Sequence, residues 1–452
     1  MAIQNSLTSF KELLDIEPPF GAYLSGKYIK SFAYLTIKDR LPVIITKIID
    51  NLSRTKESIN KKHGGNSAEE VKQIIGDLSK LRSEMMTNKQ LQPLELSNTN
   101  KDADAAIWNK RLEEQQVIDK SPQTWYNSCW LLSECYMYRR ISQIFSLTNS
   151  LSSFDPFEAQ KQANFTDSIG SIGFLAKHVM SLVNKNSSYS LDDQNKDLKQ
   201  LLKLNLWGNR CDLSLSSGDK SNVDGNPVEG LSLFDDDLLI DNTQCVWNLL
   251  NSHKNTDVIV DIVLDNSGYE LFTDLCLAVY LTSHRFTNKI RFYVKRIPWF
   301  VSDVTQQDFH WTIEFMNNSM NKDIKAFGEV CSNYLNSGKW SIEIESFWTE
   351  PFDYSEMKMQ SPELYSKLSN AILVIFKGDL NYRKLLGDIN WDHSTDLMTS
   401  LRGFNPTNLV TLRTLKADLV VGLDNDTINK LNAKDKNWMV TGQYGVIHAI
   451  IK

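Results

Sequence analysis

The chain has 452 residues, of which 41% are hydrophobic and 23% are charged, and its formal net charge is −6. This length exceeds what a single hydrophobic core usually holds, so we expect two domains or one core with large additions. The negative net charge argues against broad binding to nucleic acid or to anionic membranes, but it leaves room for a local basic pocket that holds a small phosphorylated ligand.

Cysteine, histidine and hydropathy patterns exclude further classes of protein. The six cysteines and seven histidines show no spacing that is typical of a zinc site. No window reaches the roughly 18 apolar residues of a membrane span, and no signal peptide is evident. The scattered cysteines fit reduced core thiols. We therefore expect a soluble, monomeric, cytoplasmic protein, with the nucleus as an alternative location.

The first half of the chain favours helices. Residues 43–52 and 121–145 place apolar side chains at helical spacing. Arg139 and Arg140 lie in the second of these runs, where they could extend from a helix face or bind a phosphate or carboxylate. Residues 216–230 are rich in Gly, Ser and Asp and indicate an exposed segment. We predict a helical N-terminal domain over residues 1–205 and an α/β domain over residues 206–452.

Short apolar runs alternate with helical patterns from residue 257 onward, which is typical of a sheet built from β-α-β units. The predicted strands are residues 259–264, 289–294, 340–344, 371–376 and 409–412. Residues 438–451 contain two apolar runs around Gly442, which we interpret as a closing pair of strands. The second half of the chain therefore predicts an α/β fold with a mainly parallel sheet.

Acids or amides follow three of the predicted strands, and basic residues follow a fourth. In chain order these are Asp265 and Asn266, Asp303, Asp379 and Asn381, and Arg413 and Lys416. The carboxyl ends of parallel strands meet at one edge of a sheet, so we expect these side chains to converge. Any one of them alone is more typical of a turn or a helix cap.

The converging side chains favour metal-assisted transfer of a phosphoryl group to water. Carboxylate and amide oxygens suit Mg²⁺ or Mn²⁺, which bind few protein ligands and leave sites open for water and phosphate. Lys416 as a point charge, and Arg413 or Arg383 as a planar fork, suit phosphate oxygens.

Other sites with recognisable motifs are missing from the sequence. No glycine-rich dinucleotide loop, Walker phosphate loop or G-x-S-x-G nucleophile turn is present. Asp265 is followed by Asn and Ser, which disfavours a phosphatase that uses an Asp-x-Asp nucleophile pair.

Three stretches resemble the eukaryotic damage-control phosphatase family, which is also described as acidic-residue or protein-glutamate methyltransferases. They are LDNSGYE at residues 264–270, FKGDLNYR at residues 376–383 and RTLK at residues 413–416. The last corresponds to the RTxK motif of the long family members. Shorter matches elsewhere extend the resemblance over nearly the whole chain; they are residues 32–34, 39–42, 136–140 and 347–349.

The resemblance implies a helical part over an α/β/α sandwich and one divalent cation, Mn²⁺ or Mg²⁺, with Co²⁺ or Ni²⁺ as alternatives. It implies Asp265, Asn266 and Asp303 as metal ligands. The substrate residues implied by the family motifs are Asp265, Asn266, Asp379, Leu380, Asn381, Tyr382, Arg383 and Lys416, to which we add Arg413.

The activity that the resemblance implies is hydrolysis of small sugar phosphates, including fructose 1-phosphate and fructose 6-phosphate, in the clearance of damaged metabolites. We expect Asp265, Asp303 and Asp379 to be catalytic. Asp379, or Asp265 if its second oxygen is free, would either orient the attacking water or form an aspartyl-phosphate, and the sequence leaves both open.

Two other functions remain as alternatives. One is an S-adenosylmethionine-dependent methyltransferase that acts on protein glutamate, although the usual nucleotide-binding glycine loop is missing. The other is a non-catalytic sugar-phosphate sensor, because binding and hydrolysis use the same groups.

Overall fold

A computed structural model describes residues 13–96, 103–185, 189–216 and 229–452, without the side chains of residues 209–216 and 229. Its centre is a seven-stranded sheet of order β1-β7-β6-β5-β2-β3-β4. The strands are β1 (Leu238–Asp241), β2 (Ile259–Val263), β3 (Lys289–Val294), β4 (Trp340–Ile344), β5 (Leu373–Lys377), β6 (Leu409–Thr414) and β7 (Gly445–Ile450). All pairs of neighbours are parallel except β6 and β7, which confirms the predicted fold class.

The sheet differs from the prediction at one edge. The four-residue strand β1 was not predicted, because it is short and follows an acidic, irregular segment. The predicted closing pair of strands was wrong in its first run. Residues 438–441 form turns, and Trp438 is buried in the core instead. Only the second run is a strand, β7, which enters the sheet between β1 and β6.

Helices surround the sheet. Those of eight or more residues are α1 (Leu41–His63), α2 (Ser67–Met86), α3 (Ala105–Asp119), α4 (Trp130–Ser146), α5 (Glu158–Asp167), α6 (Ile169–Val183), α7 (Leu191–Ser216), α8 (Thr243–Ser252), α9 (Tyr269–Ser283), α10 (Gln306–Asn317), α11 (Lys322–Asn336), α12 (Pro362–Ser369), α13 (Gly378–Leu386) and α14 (Asn425–Lys434). Shorter α-helical segments are Phe32–Leu35, Met357–Gln360 and Leu397–Ser400, and 3₁₀ segments are Glu229–Asp237, Ser346–Thr349 and Tyr354–Glu356. A π-helical turn, Thr36–Arg40, leads into α1.

Two of these helices contain the helical runs predicted for the first half of the chain. The run at residues 43–52 lies inside α1, whose first turn contains Pro42. The run at residues 121–145 was predicted too long, because α4 begins only at Trp130. The backbone N–H of Trp130 donates to the carbonyl of Leu24 at 2.8 Å, outside any helix.

The two faces of the sheet bury separate hydrophobic clusters. Along β2, Val260 and Ile262 pack with helices α5 to α11, whereas Val263 packs with helices α1 to α4 and α12 to α14. The alternation follows from the two-residue period of a strand, which points successive side chains to opposite faces. The result is the α/β/α sandwich that the family resemblance implies.

The helices of the first half of the chain are divided between both faces of the sheet. Helices α1 to α4 cover one face, and α5 to α7 cover the other. The predicted domain boundary at residue 205 falls inside α7, so the division into two domains stays a prediction. None of the described helices is both long and apolar enough to cross a membrane.

Candidate active site

A cavity of about 180 Å³ opens at the carboxyl edge of the sheet, beyond the ends of β2, β3, β5 and β6. The strand-end residues that line it are Asp265, Asn266, Ser302, Asp303, Gly378, Asp379, Leu380 and Lys416, joined by Arg383, Glu270, Asn205, Arg40, Trp130 and Glu134. The predicted residues Asn381, Tyr382 and Arg413 lie behind this lining. Most of the sequence-predicted residues therefore converge, although they come from four different strands.

The loops after β2 and β3 are joined to each other. The backbone N–H of Val304 donates to the carbonyl of Asp265 at 2.8 Å, and Asn266 and Asp303 form an antiparallel bridge. In the loop after β3, Phe300 and Val301 have φ values of 43° and 69°. Such a conformation is strained for a β-branched residue, and strain of this kind concentrates at functional sites.

Asp265, Asn266, Glu270 and Asp303 form one side of the cavity, which we call the acidic wall. The Asn266 side-chain nitrogen donates to Asp265 Oδ2 and to Glu270 Oε2, each at 2.8 Å. The oxygen of the same amide accepts a hydrogen bond from the Ser302 hydroxyl. A 180° flip of the Asn266 side-chain amide would exchange its nitrogen and oxygen. The amide oxygen would then lie beside the carboxylates of Asp265 and Asp303 as a third oxygen ligand.

The acidic wall holds more negative charge than its neighbours neutralise. Burial raises the pKa of Asp265 well above its usual range, and the charges of Asp303 and Glu270 raise it further. Burial also raises the pKa of Asp303 to about 6, against the opposing charge of Lys295, whose Nζ lies 3.2 Å from Oδ2.

A hard divalent cation fits this donor set. Asp303 Oδ2 is buried, and its partner is the Lys295 ammonium, 3.2 Å away. Among the described residues, there is no group of three or more His, Cys, Asp or Glu side chains that could hold a metal ion by themselves. An ion here would therefore depend on two carboxylates and the Asn266 amide, which are oxygen donors of the kind that Mg²⁺ and Mn²⁺ prefer.

Gly378 lets the turn between β5 and α13 come close to the acidic wall. Its φ is +81°, and a Cβ at this position would lie 1.9 Å from Asp265 Oδ2. Any larger residue would therefore displace the Asp265 carboxylate. The turn also directs the N-terminus of α13 to the cavity, where free backbone N–H groups favour an anion.

Arg383, Arg413 and Lys416 place positive charge at the cavity and in the layer behind it, and we call these three residues the basic wall. Arg413 is fully buried and donates from Nε to Asp379 Oδ1 at 2.8 Å. It also donates to the carbonyls of Ala417 and Leu419. Arg413 therefore braces the loop that carries Lys416.

Arg383 is buried in the same way. It donates to both oxygens of Asp388, at 2.8 and 2.9 Å, and to Glu134 at 2.7 Å. Its guanidinium also stacks over the Trp130 ring, 3.6 Å from the centroid. In contrast, Lys416 is exposed, and its Nζ makes no hydrogen bond or ion pair within the described residues. Of the three cations, Lys416 is the one that remains available to a ligand.

Asp379 lies between the two arginines. Burial alone would raise its pKa, but the charges of Arg413 and Arg383 outweigh this effect and hold the pKa below its ordinary value. The N–H of Lys416 also donates to Asp379 Oδ1, at 3.3 Å. Asp379 is therefore an ionised carboxylate at neutral pH, fixed through one oxygen.

Asn381 and Tyr382 support the turn from behind. Asn381 donates to the Lys377 carbonyl at 2.6 Å and accepts from the Tyr354 hydroxyl. The Tyr382 hydroxyl accepts from the N–H of Val421, and its ring lies under the Arg413 guanidinium at 4.3 Å. Both residues reach the cavity only through the groups that they hold.

Arg139 and Arg140 do not line the cavity. Arg139 pairs with buried Asp104, at 3.0 and 3.1 Å, and Arg140 donates to the Tyr136 hydroxyl at 2.7 Å. The phosphate-binding role that the sequence left open for them therefore has no support from their position.

Sequence reasoning assigned no role to several residues that line the cavity, among them Glu270, Ser302, Glu134 and Arg40. Glu270 stood inside the motif at residues 264–270, four positions after Asn266, and this spacing was the available signal. Arg40 lies in the matching stretch at residues 39–42, which was the available signal, whereas nothing in the local pattern around Glu134 indicates that its side chain faces the sheet edge.

Comparison with known proteins identifies the family. The damage-control phosphatase ARMT1-like domain model matches residues 36–431. The damage-control phosphatase ARMT1 of Mus musculus is 43% identical over 94% of this chain and 98% of its own length. The protein of the same name from Homo sapiens is 42% identical over 94% of this chain and 97% of its own length. A crystal structure of a DUF89 family protein from Pyrococcus horikoshii is 16% identical, with 77% of this chain and 90% of that chain aligned and a TM-score of 0.37. The match of the model and the identity to both relatives lead to one conclusion: this chain belongs to the damage-control phosphatase ARMT1-like family.

Proposed function

We propose that this phosphatase is metal-dependent and hydrolyses small sugar phosphates, such as fructose 1-phosphate and fructose 6-phosphate, in the control of metabolite damage. The observation that carries the proposal is the shared cavity: a buried acidic wall, in which the pKa of Asp265 and of Asp303 is raised, and the exposed Lys416 line the same space of about 180 Å³. A cation and a phosphate bound side by side would neutralise both.

In this proposal, Asp265, Asn266 and Asp303 hold one divalent cation, Mn²⁺ or Mg²⁺, with Co²⁺ or Ni²⁺ as alternatives. When bound, such an ion polarises a phosphoryl group and lowers the pKa of a coordinated water. Glu270 belongs to the same wall, and its hydrogen bond with the Asn266 amide nitrogen would break when the amide turns its oxygen toward the ion.

Lys416 neutralises the phosphate oxygens, and the backbone N–H groups at the start of α13 assist it. The role of Arg413 is to brace this loop, because its guanidinium is already used by Asp379 and two carbonyl groups. Arg383 supports the cavity floor in the same way through Glu134 and Asp388.

Asp379 lines the cavity at the start of α13 and accepts a hydrogen bond from the backbone N–H of Lys416. Its lowered pKa makes it a weak base, so it would orient the attacking water or attack phosphorus directly. In the second case the P–O bond to the sugar breaks, the sugar leaves as its alcohol after gaining a proton, and water then hydrolyses the aspartyl-phosphate. The Asp379→Asn variant, with a hydroxylamine trap for an aspartyl-phosphate, separates the two: a trapped intermediate in the wild type requires direct attack.

The test of the function is a panel of sugar phosphates, assayed for phosphate release with EDTA and after the return of Mn²⁺ or Mg²⁺. We expect release to vanish with the chelator and to return with the ion. A parallel assay with labelled S-adenosylmethionine tests the methyltransferase alternative. Methyl transfer without phosphate release would overturn the proposal, and tight binding without turnover would make the protein a sensor.

A further inference from the structure

Arg40 lies in the π-helical turn that precedes α1. The turn is closed by a hydrogen bond from the Leu41 N–H to the Thr36 carbonyl, five residues earlier. Such turns are rare and concentrate at functional sites. The Arg40 side chain is exposed and lines the cavity. Within the described residues, its guanidinium makes no hydrogen bond or ion pair.

The segment that carries Arg40 is fixed to the loop that carries Lys416. The Phe32 N–H, at the start of this helical segment, donates to Asp418 Oδ2 at 3.0 Å. Asp418 lies two residues after Lys416, and its carboxylate is buried. Ser31 caps the same segment by accepting from the Tyr34 N–H at 3.2 Å. This hydrogen bond therefore connects the helical segment that leads to Arg40 with the loop that carries Lys416.

A phosphate bound in the cavity would need a second unpaired basic side chain besides Lys416. Arg383 is paired with Glu134 and Asp388, and Arg413, behind the lining, is paired with Asp379. Among the described basic residues that line the cavity, Arg40 and Lys416 remain unpaired. A phosphate monoester carries up to two negative charges and offers three acceptor oxygens, which is more than Lys416 alone can neutralise.

Arg40 also stands at the border of a second, larger space. A groove of about 890 Å³ adjoins the cavity, and Arg40, Phe300 and Ser302 line both. The groove is lined on its other side by apolar residues of α1 such as Val43 and Ile44. An ester whose phosphate lies in the cavity has room for its alcohol part in this direction, past Arg40.

We propose that Arg40 is a substrate-binding residue that contacts the phosphate ester from the helical half of the chain, as Lys416 does from the loop after β6. The proposal rests on the phosphatase function proposed above and adds a ligand that the strand-end motifs do not contain. A planar guanidinium matches two phosphate oxygens at once, which an ammonium group cannot do.

The experiment compares Arg40→Ala and Arg40→Lys with Lys38→Ala. Lys38 is a matched control, because it is an exposed cation of the same π-helical turn that does not line the cavity. Kinetics with a sugar phosphate and calorimetric titration with inorganic phosphate are measured for each variant and for the wild type. We expect Arg40→Ala to raise KM and weaken phosphate binding by about tenfold or more, as expected for loss of a charge-assisted hydrogen bond. Arg40→Lys should recover part of the loss, and Lys38→Ala should match the wild type.

The outcomes distinguish this inference from the proposed function. If the wild type binds and hydrolyses phosphate esters and Arg40→Ala does the same with unchanged constants, the role of Arg40 is overturned and the function stands. If the wild type neither binds phosphate nor releases it, the function itself fails. If Arg40→Ala melts at a lower temperature than the wild type, Arg40→Gln replaces it, since Gln keeps polarity without charge. The same increase in KM is then expected.

Discussion

The acidic and basic walls of the cavity handle buried charge in opposite ways. In the acidic wall, burial raises the pKa of Asp265 and of Asp303 above the usual range, the charges of Asp303 and Glu270 raise that of Asp265 further, and Glu270 adds to that of Asp303. In the basic wall, Arg383 and Arg413 are each matched by carboxylates, and the pKa of Asp379 lies below its usual range.

The difference shows which charge is available to a ligand. The acidic wall crowds buried carboxyls whose pKa values are raised, so a bound cation would stabilise their ionised forms. In the basic wall, both arginines are already paired with carboxylates of the protein. These pairs rigidify the loop that carries Lys416, and Lys416 itself remains available to a ligand. Removing a carboxylate should therefore have opposite effects on stability in the two walls. In the basic wall it leaves a buried arginine without its counter-ion, whereas in the acidic wall it relieves repulsion among buried carboxyls.

The largest expected effect belongs to Asp265→Asn. Loss of this carboxylate should lower phosphate release by about 10³-fold, the scale of a lost preorganised electrostatic group. The metal-free protein should be as stable as the wild type or more stable, since a buried charge is removed. Activity and thermal unfolding in EDTA are the measurements, with the exposed Asp426→Asn as the control. A variant that unfolds more easily and stays active would contradict the description of this wall.

Asp379→Asn should have the opposite effect on stability. Arg413 would keep its charge in a fully buried position without a counter-ion, which should lower the free energy of unfolding by about 3 kcal/mol. Denaturant unfolding measures this change. The double variant Asp379→Asn, Arg413→Met removes the orphaned charge and should recover part of the stability. If the single variant is as stable as the wild type, the pair does not brace the loop.

Lys416→Ala should affect catalysis without affecting stability. The expected fall in kcat/KM is about 10²-fold, because a positioned charge on the phosphate is lost. The melting temperature should stay within the experimental error, since the side chain is exposed and unpaired. Lys436→Ala, another exposed lysine, is the control. Near-normal kinetics would show that Lys416 is an ordinary surface residue.

The smallest effect concerns His448, a residue of β7 outside both walls. Burial lowers its pKa to about 4. As the pH falls from about 6.5, the ordinary pKa of histidine, towards 4, His448 becomes protonated in the unfolded chain but stays neutral in the folded chain. The free energy of unfolding therefore falls. With its partial exposure, we expect a loss of about 1–2 kcal/mol in that range. His448→Gln should remove this part of the pH dependence, and exposed His310→Gln should leave it unchanged. A pH profile that His448→Gln does not alter would assign the acid sensitivity to the walls.

The sheet could be predicted well because buried parallel strands are continuous apolar runs. The predicted run at residues 289–294 coincides with β3, and the run at residues 259–264 ends one residue beyond β2. Strand β1 could not be found this way, because its four residues are only partly buried and it forms only beside β7.

The sequence predicted only those residues of the candidate site that directly follow strands of the parallel sheet. Asp265, Asp303 and Asp379 converge because their strands are parallel neighbours or near neighbours. An arginine is available to a phosphate only if no carboxylate of the protein pairs with it, and such pairs join residues that are distant in sequence. Arg383 and Glu134, for example, are 249 residues apart. No local pattern contains that information, so Arg383 and Arg413 looked as available as Lys416.

The place of β7 in the sheet has a consequence for the synthesis of the protein. Among the strands that the structure describes, β1 pairs with β7 alone, and β7 separates it from β6. A ribosome that has released residues up to Lys416 has made every residue of both walls. Yet at that moment β1 has no strand beside it, and one side of β6 is open. Unpaired strand edges can pair with strands of other chains. The nascent protein would therefore contain every residue of the site and still be prone to aggregation until β7 is synthesised.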